Sequence, residues 1–455
     1  MCIAYIGREV ALFPDESSAS WALHQRALRT LPGGNSRHTV HVEPYPLYAV
    51  RGEGARIIDA DGVSRLDCIN NYSSLIHGHN HPEIVAAISR QAEQLIAVSM
   101  PTEAEVELAE IVCDRLPGVE QIRFANSGTE GVMMAIRAAR AYTGRPLIAK
   151  IEGSYHGSSE TAAVSSTPGA PDWGPDDAPC AVAESGIGPG AAADVLVLHM
   201  NDVEGGRRRL RANAGRLAGV IIDPLVKYLR YQAASAEFLE MLREETRAAG
   251  ALLIFDEVYS LRLGFNGAQG AVGVVPDLTA LGKIIGGGLP VGALGGSAEI
   301  MTTLFDPRGG PARLAHGGTY NANPLTMAAG AVAMRLFDRA AFDRLSALGD
   351  RLRAGLREIV SITGVEAYVR GQASIVGLFQ GAETGQTYRD VMRARQANAN
   401  LAPRVELFFR HMLNHGVLMG APGFFVLSTA LTEADIDFVL DQALAGFRAI
   451  RGEAA

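Results

Sequence analysis

The chain has 455 residues, 48 % of them hydrophobic, and a formal net charge of −8 at pH 7. That length exceeds the roughly 100–200 residues of a typical domain, so a large domain with a smaller one is expected, with an interior able to hold a deep pocket. Both charge signs are dispersed, with no Lys/Arg run for nucleic acid or a membrane surface, and nothing nears the ~18 uninterrupted apolar residues of a bilayer span, which leaves a small-molecule partner.

The opening "MCIAYIGREVALF" is broken by Arg8 and Glu9, and no small-residue cleavage site follows. Cys2, Cys68, Cys113 and Cys180 show no CxxC spacing, so they read as reduced thiols of a cytoplasmic protein rather than metal ligands or disulfides. "GARIIDADGVSRLDCI" (54–69) predicts a hairpin turning at Asp61-Gly62. "QIRFAN" (121–126) predicts a strand, and "EGVMMAIRAARAYTG" (130–144) a helix ended by Gly144. "LIAKI" (147–151) and "AGVIID" (218–223) predict further strands. Between them, residues 165–194 are rich in Pro, Gly and Ala, the composition of either a lid or a disordered surface insertion.

"SAEFLEMLREETRAAG" (235–250) predicts an amphipathic helix capped by Gly250, and "ALLIFDEV" (251–258) a buried strand. This alternation implies a mainly parallel sheet flanked by helices, with ligands gathering at the carboxyl ends of its strands. After residue 331 the pattern shifts to a smaller α+β unit, with strand-like 364–380 and 423–428, a helix over 403–416 and another from Thr432. The expected division is a large domain over 75–330 and a small one from 1–74 with 331–455.

Three features carry chemistry. Lys283 lies in "LGKIIGGGLPVGALGG" (281–296), which lacks the spacing of a phosphate loop and does not follow GxGxxG; alone it reads as a surface lysine. Asp256 ends an otherwise apolar strand, where a buried carboxylate needs a cation or strong donors; a helix cap is its plainer reading. "NSGTEG" (126–131) joins a strand to a helix, and its Ser127, Gly128 and Thr129 offer amides and hydroxyls to a phosphate, or an ordinary cap. An amine for an imine, a carboxylate for a pyridinium and a helix end for a phosphate are jointly the needs of pyridoxal 5′-phosphate.

"FANSGTEGVMMAIRAARAYTGR", "KIEGSYHG", "GALLIFDEV", "PDLTALGKIIGGGLPVGALGG" and "HGGTYNANPLTMAAG" resemble, in order, the class III aminotransferases of fold type I. Within that family the chain is similar to glutamate semialdehyde aminomutase and to β-amino-acid aminotransferases. The resemblance implies a large domain built on a mainly parallel seven-stranded-type sheet, with a smaller α+β domain. It implies that Lys283 carries the cofactor and shuttles the proton, and that Asp256 partners the pyridine nitrogen. Ser127, Gly128 and Thr129 would form the phosphate cup, Tyr155 would stack on the cofactor ring with His156 beside it, and Val258 would touch the other face. Thr319 would reach the phosphate of a neighbouring subunit, which implies a homodimer with shared active sites.

Arg37, in "PGGNSR", is similar to the arginine that grips a substrate carboxylate, and Tyr72 holds the place of a pocket aromatic. Two departures stand out. "DPLVKY" (223–228) replaces the family's Glu-Pro stretch and brings Lys227 and Tyr228 near the cofactor. "GAPGFFVLS" (420–428) lacks the aminomutase's glutamate and the second arginine of the β-amino-acid enzymes, so a dicarboxylate acceptor would need another cation, Arg262 or Lys227. The expected activity is transfer of an amino group from a carboxylate-bearing amine, such as a β-amino acid, to a 2-oxo acid by a ping-pong cycle. The alternatives are an aminomutase-like isomerase, an epimerase, or a pyridoxal-fold binding protein.

Overall fold

The computed structural model describes residues 12–383, 385–398 and 400–451, so Cys2 and most of the opening stretch lie outside the described residues. Helix α1 (Ala19–Ala27) precedes strands β1 (Ala49–Glu53), β2 (Arg56–Asp59) and β3 (Ser64–Asp67). β2 and β3 are antiparallel and turn at Asp61-Gly62, as expected. Helices α2 (Pro82–Gln94) and α3 (Glu103–Arg115) lead into β4 (Gln121–Ala125) and helix α4 (Gly128–Thr143). Then come β5 (Leu147–Ile151), β6 (Val195–Leu198), α5 (Val203–Ala212), β7 (Leu217–Ile222), α6 (Ala236–Ala249) and β8 (Leu252–Asp256). β9 (Leu278–Gly282) and β10 (Gly292–Gly296) complete one seven-stranded sheet, ordered β4, β10, β9, β8, β7, β5, β6.

β5, β7 and β8 are buried at every position, which their unbroken apolar runs demand of strands covered on both faces. β10 runs antiparallel to both β9 and β4, so the sheet is mixed. "GALGG" has poor strand propensity, and β10 is not expected from the sequence. Its glycines answer to close approach instead: a Cβ on Gly292 would stand 1.8 Å from the Ser127 carbonyl oxygen. β10 thereby brings the strand ends against the start of α4.

Helix α7 (Pro324–Leu336) runs unbroken across residue 330 and leads into α8 (Arg339–Thr363). The smaller α+β unit adds β11 (Ala367–Gln372), β12 (Ile375–Gln380), α9 (Tyr388–Ala397), α10 (Leu401–Asn414), β13 (Val417–Leu418), β14 (Phe424–Val426) and α11 (Glu433–Arg451). β11, β12 and β14 form an antiparallel sheet. β13 pairs instead with β3, Val417 opposite Leu66, so the two ends of the chain share a sheet.

Segment 165–194 is neither a free lid nor a loose insertion. Trp173 is 6 % exposed and donates from Nε1 to the Pro168 carbonyl at 2.9 Å. Arg389 of α9 donates to the Gly174 and Pro175 carbonyls, to Asp176 and to both carboxylate oxygens of Glu152. A side chain of the smaller unit therefore pins the segment, a long-range contact that local composition does not carry. Glu152 and Arg389 are both buried, so removing the guanidinium leaves the carboxylate His199 Nδ1, at 3.3 Å, as its remaining ion-pair partner. Arg389→Met is expected to cost about 3–5 kcal/mol, read as a lower urea-unfolding midpoint than that of the unaltered chain.

Candidate active site

The carboxyl ends of β8 and β9 meet the amino end of α4. A Cβ on Gly282, the last residue of β9, would lie 3.3 Å from both Gly128 Cα and Val258 Cγ1. A Cβ on Gly128 would lie 2.6 Å from that same Val258 carbon. Lys283 follows Gly282 directly, with φ +50°, an uncommon value for a residue other than glycine. Its Nζ stands 5.3 Å from the centre of the Tyr259 ring.

Asp256 closes β8 and is only 4 % exposed. One oxygen accepts the Val258 N–H at 3.1 Å; the other lies 2.7 Å from His156 Nδ1. His156 Nε2 lies 2.9 Å from Ser154 Oγ. Burial keeps the His156 pKa below its ordinary value against the pull of Asp256, which favours a neutral ring donating from Nδ1 to Asp256. Burial also lowers the Lys283 pKa, with Asp256 and Asp223 opposing. Asp223, just after β7, accepts the Leu225 N–H at 3.0 Å. Burial first and the neighbouring Asp256 second raise its pKa well above the carboxylate range, so it favours the neutral acid.

At the start of α4, Ser127 Oγ accepts the Glu130 N–H at 3.2 Å, and its carbonyl accepts that of Gly131 at 3.0 Å. The first-turn amides of Gly128 and Thr129 have no intrahelical acceptor. The "SYHG" turn closes over them: a Cβ on Gly157 would meet Thr129 Oγ1 at 2.8 Å. Tyr155 is exposed and sets its ring 6.1 Å from Tyr228, edge to face.

This donor set fits pyridoxal 5′-phosphate. Among the described residues the ion-pair partner of the buried Asp256 is an imidazole that burial disposes to neutrality, so a cationic ring nitrogen would complete it. Open helix amides suit a phosphate, and an amine of lowered basicity suits an aldehyde.

Arg37 and Tyr72 line a cavity of about 1060 Å³ together with Lys227, Tyr228, Tyr231 and Phe424. Arg37 is exposed and donates from Nη1 to Asn71 Oδ1 at 2.9 Å. The Tyr72 hydroxyl donates to the Thr39 carbonyl, and its ring lies 5.9 Å from that of Phe424. Lys227 Nζ stands 4.2 Å from the Phe424 ring and 4.9 Å from the Tyr72 ring. Burial, then the nearby Lys283, lowers its pKa to about 8. Lys283 connects to this cavity through Tyr259, whose hydroxyl is 2.9 Å from that of Tyr231.

Arg262 and Thr319 lie outside this cavity. Arg262 is fully buried and donates to Ser374 Oγ at 2.8 Å, to the Ser73 carbonyl at 3.3 Å and to the Leu427 carbonyl. It ties the smaller unit to the larger, and these commitments correct its reading as an acceptor-binding cation. Thr319 is exposed in a second depression of about 580 Å³, lined also by Arg123, His316 and Tyr320, rather than in the Arg37 cavity. Ser154 and Tyr259 join the site although neither is among the expected residues. Ser154 has a local signal, its place two residues before His156; Tyr259 has none, because only packing puts its ring beside Lys283.

Residues 38–442 match the family model described as aminotransferase class III. The chain belongs to that family. An ω-transaminase structure from Sphaerobacter thermophilus is 46 % identical to this class III aminotransferase, with a TM-score of 0.91 over 96 % of this chain and 98 % of that one. A β-phenylalanine aminotransferase structure from Variovorax paradoxus is 35 % identical, with a TM-score of 0.84 over 95 % of this chain and 94 % of that one. The glutamate-1-semialdehyde 2,1-aminomutase of Methanopyrus kandleri is 37 % identical, covering 93 % of this chain and 96 % of its own length. The mixed sheet and smaller α+β unit are thus the pyridoxal-phosphate fold type I architecture of this family. Among the described residues of this aminotransferase, no helix is long and apolar enough to cross a membrane.

Proposed function

We propose that this class III aminotransferase takes the amino group of a β-amino acid and passes it to a 2-oxo acid in a ping-pong cycle, using pyridoxal 5′-phosphate. The observation that carries the donor class is the cavity that Lys283 meets through Tyr259 and Tyr231, where a guanidinium, Arg37, shares the walls with the aromatic rings of Tyr72, Tyr228 and Phe424. A guanidinium suits a carboxylate and the rings suit an apolar substituent. The likeness to a β-phenylalanine aminotransferase supports the same class.

Bound pyridoxal 5′-phosphate supplies an aldehyde for the amino group and a ring that accepts the electron pair of the donor carbon. Lys283 would hold the aldehyde of the bound cofactor, and its ε-amine would take the proton from the donor carbon. Burial lowers its pKa, which shifts the amine toward the neutral form that task needs. Asp256 holds a negative charge for the ring nitrogen, and His156, itself held by Ser154, orients that carboxylate. The Gly128 and Thr129 amides with Ser127 would hold the phosphate, and Tyr155 and Val258 would pack against the ring.

In this reading Thr319 serves the phosphate of a second copy. Support comes from the exposed apolar side chains beside its depression, Met100 at 74 % and Tyr320 at 63 % exposure, a pairing surface for a homodimer. The free thiols of Cys68, Cys113 and Cys180 support a reducing, cytoplasmic compartment.

Incubation of the purified, cofactor-loaded enzyme with an aromatic β-amino acid and no acceptor tests the reaction. One equivalent of the 3-oxo acid per subunit is expected, with no turnover beyond it until a 2-oxo acid is added. Continuous formation of an isomer of the donor without acceptor would instead establish an aminomutase or epimerase.

A further inference from the structure

A ping-pong enzyme must receive two unlike substrates in one cavity, and the charges lining this one are unevenly balanced. Its acids are already matched: Asp59 with Arg65, Asp67 with His79 at 2.8 Å, and Glu406 with Arg410 at 2.5 Å. Among its cations, Arg230 is spent on the Tyr368 hydroxyl at 3.2 Å and the Gln380 carbonyl at 3.4 Å. Arg37, Lys227 and Arg395 have no carboxylate within ion-pair distance among the described residues. Arg37 and Arg395 are exposed, where water solvates a guanidinium. Lys227 differs, since its ammonium is part-buried among the rings of Phe424, Tyr72 and Tyr228 with no anion to meet it. Aromatic faces repay only part of the hydration that such a cation gives up.

We propose that Lys227 receives the second carboxylate of a dicarboxylic 2-oxo acid acceptor, with Arg37 receiving the first; this rests on the aminotransferase reading above. Tyr72 joins the two positions. Its hydroxyl bonds to Thr39, two residues from Arg37, its neighbour Asn71 holds the Arg37 guanidinium, and its ring carries the Lys227 ammonium at 4.9 Å. A diacid placed across Tyr72 meets both cations, whereas a monoacid needs one. The four-carbon stem of Lys227 explains how the same walls also take an apolar donor: the ammonium swings aside and the rings remain. Lys227 thereby fills the role left open at Gly420, Ala421 and Pro422, which line the same cavity without a charge.

Titration calorimetry of glutarate and butyrate into the cofactor-loaded enzyme tests this apart from turnover. Lys227→Met is expected to raise the glutarate dissociation constant about 10- to 100-fold, the worth of one charge-assisted hydrogen bond, and to leave butyrate unchanged. The KM for 2-oxoglutarate should rise in parallel while that for pyruvate holds. Lys227→Arg, which keeps the charge, should retain glutarate binding and so exclude a folding defect. Equal losses for glutarate and butyrate, or an equal loss of glutarate binding in Arg395→Met, would overturn the assignment. Lysine-dependent glutarate binding in an enzyme that transfers no amino group would overturn the functional reading alone.

Discussion

Lys283→Ala is expected to lower the rate of amino transfer by at least about 10²–10⁴-fold, the range typical of a lost general acid–base group. The true loss should exceed that, because in the proposed function the same amine would also hold the cofactor's aldehyde between turnovers. Alanine retains a Cβ, so it meets the left-handed backbone at φ +50° on the same terms as lysine, and little stability change arises from the main chain. Chemistry and folding can therefore be separated. Borohydride treatment of the unaltered enzyme should tag a peptide containing Lys283 with the reduced cofactor, and the variant should carry no such tag. Added methylamine, which restores a mobile amine without its tether, should recover part of the donor half-reaction. A variant that keeps full turnover and a reducible cofactor linkage would place the reactive amine elsewhere, Lys227 being the nearest alternative in the same region.

The second large effect is expected at Asp256. Asp256→Asn preserves shape and can still accept the Val258 N–H that now lies at 3.1 Å, but it removes the negative charge. The new amide N–H₂ would confront His156 Nδ1 at 2.7 Å, which forces the imidazole to move its proton to Nε2 and the Ser154 hydroxyl to accept it. That rearrangement is available, so folding should survive. Catalysis should not, because a charge aimed at the reacting ring from a buried site is worth about 10²–10³-fold in turnover. The sign is also readable without turnover. With no carboxylate beside it, the cationic ring nitrogen of bound cofactor would be destabilised, so its pKa, followed by the 15N chemical shift of ring-labelled cofactor against pH, should fall. An unmoved titration together with unaltered turnover would sink the role given to Asp256.

Much of this architecture is local enough to be legible in the residue order. The caps at Ser235 and Gly250 enclose α6 within one residue of the expected helix, since both act through hydrogen bonds to their own neighbours. The strands around β8 announce themselves as unbroken apolar runs because both faces are covered. Asp256 is conspicuous for the same reason, a carboxylate at the end of such a run. Less legible is β10, whose glycines are chosen for contact with Ser127 rather than for strand propensity. Arg262 misleads in the opposite sense: as text it is a cation near Asp256, yet carbonyls and a hydroxyl from three distant segments claim it.

Residue order by itself determined which groups could do the chemistry: an amine at 283, a carboxylate at 256 and a helix start at 127–129, each tied to an element whose form depends on neighbours along the chain. The tertiary structure decided which of them stand together and which other groups are already spoken for. Arg262 is consumed, Thr319 lies in a second depression and Lys227 sits among rings without an anion. The physical reason is range. Propensity and capping act over a few residues, whereas burial and the pairing of charge depend on segments hundreds of positions apart, which only the packed fold brings into contact.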